Sequence, residues 1–215
     1  MGKKTIVVVG AGTGLGNHIA ATFGRNNFRV VLMARREDKL KEYVSEMREG
    51  GIDADYHVVD CAENASIRVA FEDVRKKYGV VDVLSYNAAV LKDGLPSELT
   101  PEELAARYQI DVAGALCAAQ QVIPEQKKRG EGSLLFTGGG LALSPMAQFT
   151  SVSVHKAALR TLAATLREEL KDAGIYVGIV NIKGNIGSSD YYSPAKIADV
   201  FFRMYTEKAE SEITY

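Results

Sequence analysis

Residues 10 to 16 read Gly10-Ala11-Gly12-Thr13-Gly14-Leu15-Gly16, four glycines in seven positions, directly after the apolar run 6–9. A turn so poor in side chains lets backbone N–H groups approach an anion closely, and a helix starting there adds partial positive charge. This is the chemistry of gripping a dinucleotide pyrophosphate, with Gly10, Gly12, Thr13, Gly14, Leu15 and Gly16 as candidate contacts. The glycine spacing is Gly-x3-Gly-x-Gly, through Gly10, Gly14 and Gly16; the commoner G-x-G-x-x-G pattern would need glycine where Leu15 stands.

The second apolar run ends Met33-Ala34-Arg35-Arg36, with no carboxylate before Glu37. An acidic residue at this point would bind a ribose 2′-hydroxyl, whereas arginine meets a 2′-phosphate with paired, charge-assisted hydrogen bonds. Arg35 and Arg36 therefore predict NADP(H) in preference to NAD(H). The competing reading is two solvated arginines opening a charged helix, since Glu37, Asp38, Lys39 and Lys41 follow.

The elements that must position these residues alternate. Runs 6–9, 29–33, 56–59, 81–85, 133–137 and 176–181 have strand length and composition, and helix-period segments 16–25, 37–49, 66–78, 101–128 and 152–172 lie between them. Long connections between successive strands mean a parallel sheet. The pattern predicts an α/β fold: a Rossmann-type doubly wound parallel sheet flanked by helices on both faces, in a single domain over 1–215. Thr100-Pro101-Glu102-Glu103 has the form of a capping box with a first-turn proline, and Gly79 and Gly174 stand where left-handed helix stops would fall.

Composition narrows the function classes. Lys and Arg total 26 against 27 Asp and Glu, which leaves no basic excess to hold nucleic acid or an anionic membrane. The run 6–9 is far shorter than the roughly 18 residues a membrane span requires. A cytoplasmic protein with small-molecule partners is expected. The two cysteines, Cys61 and Cys117, lack metal-ligand spacing, so no metal site is expected and both are read as reduced thiols.

With these elements in place the sequence resembles the short-chain dehydrogenase/reductase family over nearly its whole length. The Gly10/Gly14/Gly16 loop matches the family's first motif. Asp60, with Cys61 beside it, matches the aspartate that contacts the adenine ring, and Asn87-Ala88-Ala89 resembles the family's Asn-Ala-Gly. Lys156, followed by Ala157-Ala158-Leu159, matches the lysine of Tyr-x3-Lys, and Lys183-Gly184 stands where the family usually has Pro-Gly. The resemblance implies that Asp60, Cys61, Asn87, Ala88, Ala89, Lys156 and Gly184 join the loop in holding the cofactor.

It also exposes departures. Val152 stands in the place of the tyrosine, Gly139 in that of the serine and Asp111 in that of the central-helix asparagine, so that only Lys156 of the four is kept. In the family reaction the tyrosine moves a proton at the substrate oxygen, the lysine holds the nicotinamide ribose and lowers the tyrosine pKa, and the serine hydroxyl bonds the oxygen. Valine and glycine supply neither function. Losing a general acid typically costs about 10²- to 10⁴-fold, and an oxyanion donor about 10²- to 10³-fold, so ordinary carbonyl reduction is not expected.

Two residues are candidate substitutes beside Lys156. His155 lies three positions after Val152, partly toward the same helix face, and imidazole titrates in a useful range. Asp111 falls on the edge of the buried stripe Leu104, Tyr108, Val112, Ala115, Ala119 and Val122, where a carboxylate must find a partner; an ion pair with Lys156 would be structural rather than catalytic. Ser144, Ser151 and Ser153 have no activating partner in sequence. After residue 181 only a short polar connection, a helix over 195–206 capped by Ser193-Pro194 and an edge strand at 213–215 are expected, leaving the substrate side open.

Two functions fit: an atypical NADP(H)-dependent oxidoreductase with a degenerate active site, or a non-catalytic NADP(H)-binding sensor or regulatory protein. By analogy with the family a homodimer or homotetramer through the two long helices is expected, with Ala163, Leu166 and Leu170 read as part of an outward stripe.

Overall fold

The computed structural model describes residues 2–215. Seven strands, β1 (Thr5–Val9), β2 (Arg29–Ala34), β3 (Ala54–Val58), β4 (Val83–Tyr86), β5 (Gly132–Gly139), β6 (Ile175–Ile182) and β7 (Glu212–Thr214), form one sheet of order β3-β2-β1-β4-β5-β6-β7. Every pairing is parallel, including the edge strand β7 against β6. This is the doubly wound single-domain architecture the alternation predicts.

Strand side chains alternate between two cores. Val7, Val9, Val31, Met33, Leu84, Leu134 and Phe136 face one layer, made by α3 (Asn64–Tyr78), α5 (Gly114–Arg129) and α6 (Thr150–Leu170). Ile6, Val8, Val30, Leu32, Val83 and Leu135 face the other, made by α1 (Leu15–Arg25), α2 (Glu37–Glu49) and α7 (Pro194–Glu207). Because both faces are covered, the inner strands are largely apolar rather than alternating with polar residues, whereas the edge strand β3 carries Asp55 and His57. On the second face Phe23 packs edge-on against Phe28 and Phe202, at 5.2 and 5.1 Å, locking α7 onto α1.

The expected helix 101–128 is broken. It consists of α4 (Pro101–Tyr108), one π turn (Gln109–Ala113) and α5. The Tyr86 hydroxyl donates to the Ile110 carbonyl at 2.5 Å, and the Asp111 carboxylate accepts the Val90 N–H at 2.8 Å; both bonds pull this turn toward β4. Gly114 permits the approach, since a Cβ there would lie 2.7 Å from the Tyr86 oxygen.

The capping box is formed as read, with Glu103 N–H to Thr100 Oγ1 at 3.1 Å and Thr100 N–H to Glu103 Oε2 at 3.3 Å. Gly174 (φ 71°, ψ 18°) is left-handed, but Gly79 combines φ 79° with an extended ψ of −135°, and Gly130 is the residue that closes α5. Ser193 precedes Pro194 without a side-chain bond to the helix, so the proline alone marks that start. Ala163, Leu166 and Leu170 are not outward: all three are buried in the first core, because the inner face of α6 carries them onto the sheet. They offer no surface for pairing subunits.

Candidate functional site

The carboxyl ends of β1, β4, β5 and β6 open into a cleft of about 1160 Å³, the place where open parallel sheets bind ligands. At one end lies the glycine turn between β1 and α1. Gly10 has φ 88°, and a Cβ on it would meet the Ala88 nitrogen at 2.3 Å; Gly16 would drive a Cβ into the Gly10 carbonyl at 2.5 Å. These two glycines serve close packing. Gly12 and Gly14 differ, because a Cβ on either meets nothing within 4 Å. The Gly10 and Ala11 N–H groups both bond the Met33 carbonyl, while those of Gly12, Thr13 and Gly14 have no backbone acceptor among the described residues. The N-terminus of α1 carries neither a side-chain cap nor a first-turn carboxylate. Space, unspent amides and a bare helix start fit a diphosphate.

Gly10, Gly14 and Leu15 line the cleft, whereas Gly12, Thr13 and Gly16 are not part of its wall. Asn87 braces the turn: its Nδ2 donates to the Gly10 carbonyl at 2.9 Å and its Oδ1 accepts from Thr137 Oγ1 at 3.0 Å, tying β1, β4 and β5 together. Ala88 and Ala89 continue the wall.

Arg35 and Arg36 both reach the cleft, yet they differ in engagement. Arg36 is held by Asp38 at 2.8 Å, while Arg35 is exposed and has no carboxylate within ion-pair distance among the described residues. Lys39 and Tyr43 complete this end and were missed in the sequence, although their separation of four positions on α2 places them on one face. Asp60 accepts the Ala62 N–H at 2.9 Å, which fixes the start of the following turn, and Cys61 lies beside it. Burial pushes the Cys61 thiol up to about 11, so it stays protonated and unreactive.

The other end of the cleft is built from α6 and the end of β5. Lys156, only 6% exposed, lines the wall and donates from Nζ to the Thr137 carbonyl at 2.7 Å. Burial pulls its pKa down to about 8, and the Asp111 carboxylate opposes that shift. Val152 lines the same wall one turn earlier. A Cβ on Gly139 would stand 3.4 Å from Lys156 Cγ and 3.6 Å from Cδ and Cε, so the missing side chain leaves a gap directly against the lysine stem. Gly184 closes this end, packed under the Tyr192 ring. Leu91, Met146, Phe149 and Ile186 stand at the mouth with 39% to 76% exposure, giving the substrate side an apolar, solvent-reached rim.

Two expectations are corrected here. Asp111 and Lys156 form no ion pair; the Asp111 Oδ2 lies 3.1 Å from His155 Nδ1 instead, because the π turn points the carboxylate at α6. His155 is fully buried, sits edge-on to Tyr108, and neither it nor Asp111 lines the cleft. The geometry therefore gives His155 no route to a substrate. Of the three serines, Ser144 lines the cleft without a basic partner, Ser151 accepts from Arg107 at 3.0 Å, and Ser153 donates to the Phe149 carbonyl at 2.9 Å. Among the described residues no cluster of His, Cys, Asp or Glu could hold a metal, and no helix is long and apolar enough to cross a membrane.

A short chain dehydrogenase family model matches residues 4–187. The chain belongs to the short-chain dehydrogenase/reductase family. It is similar to the 2,3-dihydro-2,3-dihydroxybenzoate dehydrogenase of Bacillus subtilis (strain 168), with 26% identity over 178 residues that cover 83% of this chain and 68% of that one. The fold is close to that of a metagenomic short-chain oxidoreductase solved in complex with NADP, at TM-score 0.91 and 26% identity, covering 100% of this chain and 97% of the other. An actinorhodin polyketide ketoreductase solved with NADPH reaches TM-score 0.92 at 22% identity, covering 100% and 97% of the two chains, a likeness of fold alone. Membership makes this an oxidoreductase-like dinucleotide-binding protein.

Proposed function

We propose that the protein is an NADP(H)-dependent oxidoreductase whose reaction centre has been rebuilt around Lys156. The carrying observation is Arg35: it lines the cleft beside the glycine turn, without a carboxylate partner among the described residues, and no acidic residue precedes Glu37 on β2 to take a ribose 2′-hydroxyl. When bound, the reduced nicotinamide supplies a hydride. The chain's own groups do the rest. Amides of the glycine turn hold the diphosphate, Arg35 meets the 2′-phosphate with Lys39 nearby, and Asn87 keeps the turn in register. The apolar rim from Leu91 to Ile186 favours a substrate with a substantial hydrocarbon part.

A second reading, a protein that binds NADP(H) without turning it over, is favoured by Val152 and Gly139, which put neither a phenol nor a hydroxyl at their two places in the cleft wall beside Lys156. One experiment separates the two. Calorimetric titration should show NADPH binding more tightly than NADH, and a carbonyl panel should then oxidise the bound NADPH. Binding with no turnover across the panel selects the second reading, and no binding of either dinucleotide overturns both.

A further inference from the structure

We propose that the reaction end of the cleft selects carbonyl substrates that carry a carboxylate on an apolar body, and that the Lys183 ammonium is the group that takes the carboxylate. The inference rests on the oxidoreductase reading above and names the substrate class that this end of the cleft fits.

The seating of Lys183 is the first observation. It directly follows β6, and its own N–H donates to the Tyr215 carbonyl at 2.8 Å, so the edge of the sheet fixes its backbone. Its stem passes over Gly140: a Cβ on that glycine would lie 2.8 Å from Lys183 Cα, 3.3 Å from Cβ and 3.0 Å from Cγ. Any side chain at position 140 would push the lysine off this wall. The Gly140 carbonyl also accepts the Ser144 N–H at 2.9 Å, so one bare residue seats a cation and a hydroxyl side by side at the end of β5. Lys183, Ser144 and Asn185 all line the cleft, and among the described residues none of the three side chains has a hydrogen-bond or ion-pair partner. A lysine has only donors, and a hydroxyl and an amide can donate; a carboxylate, which only accepts, matches all three.

The distribution of charge is the second. Among the described residues Asp60 is the one carboxylate that lines the cleft; it belongs to the other end, with Arg35, and already accepts the Ala62 N–H. The reaction end holds two lysines and no acid. Lys156 is bonded to the Thr137 carbonyl and stands where the family holds the nicotinamide ribose, which leaves Lys183 as the cation available to a substrate. The wall around it is hydrocarbon, from Leu141, Val152, Met146, Phe149 and Ile186. A lone cation on an apolar wall without a counter-ion draws anions to that spot, and a single positive charge suits a monoanion. The hydrocarbon favours a substrate with an apolar body over a small hydrated acid.

The test uses the full chain with benzoylpropionate, para-formylbenzoate and oxocyclohexanecarboxylate, each beside its methyl ester. Calorimetric titration into the NADP⁺-loaded protein should show the acids binding about 10-fold more tightly than the esters, and NADPH oxidation should favour the acids by about the same factor in kcat/KM, the worth of one charge-assisted hydrogen bond in an open cleft. In Lys183→Met the acid-to-ester ratio should fall to about one while NADPH affinity stays within about twofold, and Lys183→Arg should keep most of the preference. Lys92→Met, which lies off the cleft wall and faces Glu103 at 3.8 Å, should leave the ratio as it is. Acids and esters bound and turned over alike by the parent, or a preference that survives in Lys183→Met, overturns the inference and leaves the oxidoreductase reading standing. A loss of NADPH affinity in Lys183→Met as large as the loss for the acids puts the lysine on the cofactor and overturns it as well. NADPH bound with none of these compounds turned over is a different result: it removes the oxidoreductase reading, and the substrate role of Lys183 with it.

Discussion

Asp111 Oδ2 stands 3.1 Å from His155 Nδ1, and the other oxygen of the same carboxylate takes the Val90 N–H at 2.8 Å. One buried side chain thus joins the π turn, α6 and the loop after β4, three segments that each contribute to the cleft wall. Its role is to hold that wall in place. Asp111→Ala should lower stability by about 2–4 kcal/mol, because it strands a buried N–H and an imidazole, while Asp111→Asn keeps an acceptor and costs about 1 kcal/mol. Urea denaturation of the two variants checks the order.

The glycines of the turn should separate folding from binding. Gly10→Ala places a Cβ 2.3 Å from the Ala88 nitrogen at φ 88° and is expected to destabilise the fold by about 2 kcal/mol or more. Gly12→Ala meets open space, so its melting temperature should stay within a few degrees of the parent while a methyl group crowds the approach of phosphates. Thermal melts and NADPH titration, run on both variants, give the contrast.

Cofactor choice should follow Arg35 more than Arg36. Arg35→Ala is expected to weaken NADPH binding about 10- to 100-fold with little change for NADH, the worth of charge-assisted bonds to a phosphate. Arg36, already engaged by Asp38, should show a smaller loss. Equal losses for both dinucleotides in Arg35→Ala would place it away from the 2′-position.

Lys156 makes stability depend on pH with a definite sign. Its folded pKa of about 8 lies below the ordinary lysine value of 10.5, so below about pH 8 both states are protonated and the native state bears the full cost of a buried ammonium. Between pH 8 and 10.5 the unfolded chain binds more protons, and stability rises with pH by about 3 kcal/mol in total. Lys156→Met removes this contribution. The difference between parent and variant, followed by denaturant unfolding at pH 7 and at pH 10, should shift toward the parent at the higher pH.

Restoring a phenol should raise turnover. Gly139→Ser has room, since its Cβ makes ordinary contact with the Lys156 stem, and Val152→Tyr projects from the cleft wall. The double variant is expected to accelerate carbonyl reduction about 10- to 100-fold over the parent, measured as kcat with saturating NADPH.

What could be read from residues alone was what depends on local pattern. Apolar runs of strand length alternating with helical periods dictate a parallel sheet, because only long crossovers were present to connect them. The Gly10 to Gly16 turn and Arg35-Arg36 were legible for the same reason: backbone access and guanidinium charge are properties of residue type and spacing. Only the tertiary structure decided how charges separated by tens of residues pair. The π turn at Gln109–Ala113 exists because Tyr86 and Val90, from another strand and loop, compete for the groups of that helix. That competition turned Asp111 to His155 rather than to Lys156, and so left the lysine facing the cleft with the Thr137 carbonyl as its partner. Helical periodicity shows which face a residue occupies; it carries no information on which distant donor arrives there.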